Sequence, residues 1–208
     1  MWSTNLVAVA FALLAPSSPI QVADDWAATP EASFLTPEER RIWKTLDSAE
    51  RREEFQRNYW RRRDPTPDTG RNEFEEAILA RIRAADDRFG TPDRRGSRTA
   101  RGAAYVVLGP PAIVRSTSGP LETAPRQELP AVAALPRTAL HSTSWEEWVY
   151  DRQRNAELLK ILRRPVVEVS FVVERGRDQV QKPGLFAAYR DAIARSSILR
   201  PSPGIRAP

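Results

Sequence analysis

The sequence predicts an α+β fold: N-terminal helices packed on a small, antiparallel sheet, with a long irregular Pro/Ala-rich loop. Three observations predict it. Apolar residues recur at helical spacing between Leu35 and Phe89. Two later runs, Ala103–Leu108 (AAYVVL) and Val166–Glu174 (VVEVSFVVE), are short, apolar and β-prone. Helices come first, and they do not alternate regularly with strands as a parallel sheet requires.

The elements follow in order. Residues 1–23 read as a signal peptide or hydrophobic leader. Within them Leu6 to Ala15 (LVAVAFALLA) is short for a bilayer span but suits a signal-peptide core, and Pro16 breaks it. Residues 24–34 read as a linker, and residues 35–115 as the helical and first-strand region. Thr36-Pro37-Glu38-Glu39 is a capping box with proline at the first helical position. Ile42, Trp43 and Leu46 give that helix an apolar face. Asp47-Ser48-Ala49-Glu50 is a second start signal, so the spacing predicts two helices or one with a break. The second carries Phe55, Tyr59 and Trp60 and stops at Asp64-Pro65-Thr66-Pro67, because proline cannot continue the hydrogen-bond ladder.

Asn72 caps a third helix, with Glu75 three residues on. Phe74, Ile78, Ile82, Ala85 and Phe89 form its stripe, and Gly90 ends it. Thr91 to Gly102 (TPDRRGSRTARG) is an arginine-rich loop. It leads into the first predicted strand, Ala103–Leu108, which Gly109-Pro110-Pro111 closes. Residues 116–143 are rich in Pro, Ala and Ser and read as the irregular loop. Residues 144–200 complete the same domain. They hold a strand at Trp145–Tyr150, a short helix at Ala156–Leu162, the Val166–Glu174 strand, a turn at Arg175-Gly176 and a final amphipathic helix over Leu185–Leu199. Residues 201–208 read as a disordered tail.

Composition bounds the chemistry. Of 208 residues, 41% are apolar and 28% charged, which suffices for a core. A net charge of +5 permits attraction to nucleic acid or anionic lipid, but acids are interspersed with the cations. Lys44, Lys160 and Lys182 are the only lysines. A GC-rich genome produces that bias, and so does selection for bidentate anion binding, which arginine performs better. With no cysteine, disulfides, thiolate metal sites, a cysteine nucleophile and a lipid-modified cysteine are excluded.

No catalytic constellation emerges. His141 is the sole histidine, so no metal site and no cofactor are expected. Asp86-Asp87 and Glu75-Glu76 are helical neighbours that diverge by about 100° and do not grip one ion. Ser142 and Ser144 flank His141, but no Gly-x-Ser-x-Gly elbow holds them. Arg94, Arg95, Arg98 and Arg101 are the candidate binding residues. In the 94–101 loop they suit a phosphorylated or acidic polymer, or they are simply solvated. The loop lacks Gly-Lys-Ser/Thr and precedes a predicted strand, so it is no Walker loop. Arg61-Arg62-Arg63 beside Trp60 admits base stacking. The same residues also fit a core-facing ring with cations at a helix C-terminus.

A set of fragments in fixed order resembles the GWxTD domain of bacterial proteins. They are Leu35-Thr36-Pro37-Glu38-Glu39-Arg40, Phe55, Trp60-Arg61-Arg62-Arg63-Asp64-Pro65-Thr66-Pro67, Asn72-Glu73-Phe74, Arg81, Ala85, Phe89, Arg101-Gly102 and Leu108-Gly109-Pro110-Pro111. Trp145-Glu146-Glu147-Trp148-Val149-Tyr150 is similar to the family's later Trp-Val-Tyr element. The Gly-Trp-x-Thr-Asp signature followed by Arg-Gly corresponds to Gly96-Ser97-Arg98-Thr99-Ala100-Arg101-Gly102. Gly96, Thr99 and Gly102 are kept, while Ser97 and Ala100 stand in place of tryptophan and aspartate. That exchange removes an apolar anchor worth about 1.5–3 kcal/mol and a carboxylate able to pair Arg63 or Arg101.

The resemblance implies an exported bacterial protein with no established enzymatic activity. The expected function is therefore a periplasmic or envelope-associated interaction module. Its partner is another envelope protein or an acidic polymer, and no span remains once the leader is removed. One alternative is an anion- or nucleic-acid-binding module using the 94–101 loop. Another is a carboxylate-dependent hydrolase around Glu73 or Glu76. Arg63, Asp64, Asn72 and Glu73 are expected to be structural, with Asp64 and Asn72 capping or bridging the loop and Arg63 paired to an acid.

Overall fold

A computed structural model describes residues 25–118, 143–174 and 177–198. The leader, His141 with Ser142 and most of the Pro/Ala-rich loop, the Arg175-Gly176 turn and the tail lie outside the described residues. Among the described residues the fold is α+β, as predicted. The α-helices are α1 (Pro37–Thr45), α2 (Ala49–Arg61), α3 (Glu73–Phe89), α4 (Ala100–Leu108), α5 (Ala156–Leu162) and α6 (Pro183–Ser196). The strands are β1 (Ile113–Ser118), β2 (Thr143–Tyr150), β3 (Val167–Glu174) and β4 (Arg177–Val180). They form one antiparallel sheet in the order β1-β2-β3-β4.

Local signals set the first three helices. The Thr36 hydroxyl accepts from the Glu39 amide at 3.2 Å, and the Glu39 carboxylate accepts from the Thr36 amide at 2.8 Å. Ser48 caps α2, so the chain makes two helices. Asn72 caps α3 through its bond from the Glu75 amide at 3.0 Å. Ile78, Ile82 and Ala85 are the buried stripe of α3.

Four expectations are corrected. Ala103–Leu108 is not a strand; it is most of α4. Every residue from Gly102 to Leu108 is buried except Ala103, so no polar face interrupts the run. A short apolar run of this kind reads alike as buried strand or buried helix. Residues 24–34 are not a plain linker: 3-10 turns at Trp26–Ala28 and Pro30–Ala32 pack against the helices. Residues 116–118 continue strand β1 and do not belong to the irregular loop. This edge strand is exposed from Ile113 to Thr117, so no buried face marks it in sequence. Strand β4 is likewise a short edge, reading RDQV, that no apolar run announces. The last helix starts at Pro183, two residues before Leu185, because proline is favoured in the first turn.

The core is one continuous cluster. At one end Trp26 meets Trp43, Phe55 and Tyr59 with ring centroids 5.1–6.2 Å apart. At the other, Trp148 meets Phe89 at 5.7 Å and Phe171 at 5.0 Å, so helices and sheet share one interior. Trp148 pairs with Val169 and Val114 in register, and Tyr150 with Val167, putting these side chains on one sheet face. Trp60 packs on Tyr59 at 4.7 Å and lies near Phe74 at 6.3 Å, so its ring belongs to the core margin and not to a base-stacking platform.

Candidate anion-binding cleft

Two of the predicted motifs are scaffold. Arg63 is sealed from solvent at 1% exposure. Its guanidinium donates to both Glu39 oxygens at 3.1 and 2.8 Å, to the carbonyls of Tyr59 at 3.0 Å and Phe34 at 2.7 Å, and to Ser197 Oγ at 3.0 Å. Burial pushes the Arg63 guanidinium down to about 10, still protonated at neutral pH. Arg62 also contacts Glu39. Asp64 Oδ1 accepts from the Thr66 amide at 3.0 Å, and Asn72 Nδ2 donates to the Trp60 carbonyl at 3.0 Å. Glu73 accepts from the Thr66 hydroxyl. Phe74 packs edge-on against Phe34 at 5.4 Å.

The loop after α3 is held by an acid of that helix. Asp86 accepts twice from Arg95, at 3.1 and 2.8 Å, and from the Ser97 amide at 2.8 Å. Burial alone would raise the Asp86 carboxyl. Hydrogen bonds from Ser97 and Arg95, with the Arg95 charge, hold it below its ordinary value. Thr99 Oγ1 donates to the Gly96 carbonyl at 2.7 Å and accepts from the Gly102 amide at 3.0 Å, capping α4. A Cβ on Gly96 would overlap the Ala85 carbonyl, and one on Gly102 the Gly96 carbonyl, so both positions require glycine for close backbone packing.

The loop precedes a helix, and its N-terminus is the kind of site that binds anions. That site is filled from within. Asp178 of β4 accepts from the Ala100 amide at 2.9 Å, the Arg101 amide at 2.8 Å and Arg101 Nε at 3.1 Å. Arg101 Nη1 also donates to Glu146 at 2.9 Å. Ser97 and Ala100 therefore leave neither Arg63 nor Arg101 without an acid.

The four candidate arginines thus divide. Arg101 is neutralised by Asp178 and Glu146, and Arg95 is bound to Asp86. Arg94 and Arg98 are exposed, with Arg94 donating to the Arg98 carbonyl. Arg94, Arg95 and Arg98 line a cleft of about 910 Å³ together with Arg40 of α1 and Arg190 of α6. Asp93 is the single acid in that lining. Ala27, Ala28, Ala103 and Phe186 supply uncharged wall. Burial lowers the Arg40 guanidinium below its usual value, and the charge of Arg190 lowers it further. Arg190 has Asp191 at 3.5 Å, and its Nε is buried without a hydrogen bond. Ser97 Oγ, within the loop, is also buried without a well-formed one.

Glu73 and Glu76 are exposed at the start of α3. Hydrogen bonds from Thr66 and Arg71, respectively, hold their carboxyls below the ordinary range, the opposite of what a general acid needs. Among the described residues no cluster of three or more acids or histidines is placed to hold a metal ion. No helix among them is long and apolar enough to cross a membrane. No family model, curated protein or solved structure matches the chain.

Sequence reasoning missed Arg40, Arg190, Glu146 and Asp178. Arg40 and Arg190 sit on ordinary-looking charged helices, and only the packing of α6 near α1 and the 3-10 turns brings them to one cleft. For Asp178, an acid within a short polar strand, no sequence signal marks a helix cap.

Proposed function

We propose that this chain is an exported interaction module of the bacterial envelope that captures an acidic partner in the arginine cleft. One observation carries the binding mode: five arginines from α1, the 94–98 loop and α6 line one cleft in which Asp93 is the single lining acid, and of the five Arg95 is held by Asp86 and Arg190 lies beside Asp191. Guanidinium groups so placed form charge-assisted, bidentate bonds to carboxylates or phosphates. The anion-binding alternative thereby joins the interaction module, with Arg40 and Arg190 replacing Arg101 in the binding set. Export is supported by the Leu6–Ala15 run, and GWxTD membership by the ordered fragments from Leu35 to Pro111.

The test is fluorescence anisotropy of the full chain with labelled poly-glutamate. Binding that weakens steeply with salt, and weakens further in an Arg98→Glu variant, is expected. No binding at low salt removes the reading. Cell fractionation with mass spectrometry of the N-terminus tests export separately: a mature start between Pro16 and Trp26 in the envelope fraction is expected, and an intact Met1 in the cytosol overturns it.

A further inference from the structure

Resting on the anion-cleft reading, we infer that the occupant is a peptide segment of another protein in which acidic residues flank an apolar side chain. The cleft is built for mixed chemistry. Arg40 and Arg190, from α1 and α6, line the same cleft as like charges that disfavour one another; Asp191, beside Arg190, offsets part of that repulsion, and an anion in the cleft adds to the relief. Arg94 and Arg98 offer a second cationic pair on the loop. Phe186 and Ala103 line the same cleft and give an apolar side chain something to bury against.

Two features select a peptide over a phosphate polymer, and a third excludes a lone ion. Asp93 lies among the arginines, where it repels a continuous run of phosphates but accepts a peptide N–H. Phe186 is the single aromatic ring in the lining, so successive bases find no stacking platform. A cleft of about 910 Å³ holds several side chains and is far larger than one ion needs.

The probe is a labelled short peptide with glutamates on both sides of a central phenylalanine, measured by anisotropy on the full chain. Its comparators carry alanine for phenylalanine or glutamine for glutamate, and polyphosphate competes. The phenylalanine peptide should bind about tenfold tighter than the alanine one, the worth of one buried ring. Arg40→Gln and Arg190→Gln should each weaken it about tenfold. Thermal melts confirm folding, and Arg98→Gln, on an exposed loop, serves if either of those variants unfolds. Equal affinity of the phenylalanine and alanine peptides overturns the peptide inference and leaves the anion cleft standing. Polyphosphate binding more tightly than the phenylalanine peptide does the same. Failure of every probe at low salt overturns both.

Discussion

Glu39 gives both carboxylate oxygens to the buried guanidinium of Arg63, at 3.1 and 2.8 Å, and with one of them also accepts the Thr36 amide that opens α1. A helix cap and a buried ion pair are thus the same side chain. The pair links α1, the C-terminal end of α2, the Phe34 carbonyl and, through Ser197, the end of α6. Through Ser197 it ties the C-terminal end of α6, the helix that carries Arg190, to α1 and α2.

Removing one partner leaves a buried charge unmatched. Glu39→Gln or Arg63→Met should each destabilise the fold by about 3–5 kcal/mol in urea titrations. The double variant should lose less than the sum, since the stranded charge is gone. Additive losses would show that the two side chains act independently.

Asp178 satisfies two amides of α4 and neutralises Arg101. Asp178→Ala should cost about 2–4 kcal/mol, leaving two helix amides without an acceptor and Arg101 with Glu146 as its one remaining acid. Asp178→Asn should cost less, because the amide oxygen still accepts. Equal losses for the two variants would argue that packing, not hydrogen bonding, sets the penalty.

Asp86 links stability to acid. Its folded carboxyl is held below the ordinary value, so the unfolded chain binds the proton more readily. The contribution is present above about pH 4, the unfolded range, and is lost as pH falls through the lower folded value. Melting temperature should therefore drop on acidification, and the drop should be shallower in Asp86→Asn. Parallel curves for wild type and variant would refute the assignment.

Ser97 Oγ is buried without a well-formed hydrogen bond, and its interaction with the Asp86 carboxylate offsets only part of its desolvation. Ser97→Ala should leave stability unchanged or raise it by up to about 1 kcal/mol. Gly102→Ala should do the reverse and unfold the loop–helix junction, because its Cβ has no room beside the Gly96 carbonyl. Calorimetry of both variants checks the pair, and a clear loss in Ser97→Ala would mean that the Asp86 interaction outweighs the desolvation.

The sequence by itself determined the elements that local chemistry specifies. Thr36 with Glu39, Ser48 and Asn72 mark helix starts because a cap bonds an amide within three residues. The stripe of α3 and the apolar run of β3 show which faces are buried, since periodicity is a property of neighbours along the chain. Tertiary structure decided the rest. It made Ala103–Leu108 helical, because a segment buried almost all round carries no periodic signal, and the local Thr99 cap is completed by Asp178, which arrives from β4. It also decided which cations meet which acids. Asp86, Glu146 and Asp178 claim Arg95 and Arg101, while Arg40 and Arg190 meet across the cleft. Charge pairing falls off with distance in space, and distance in space between remote residues is written only by the fold.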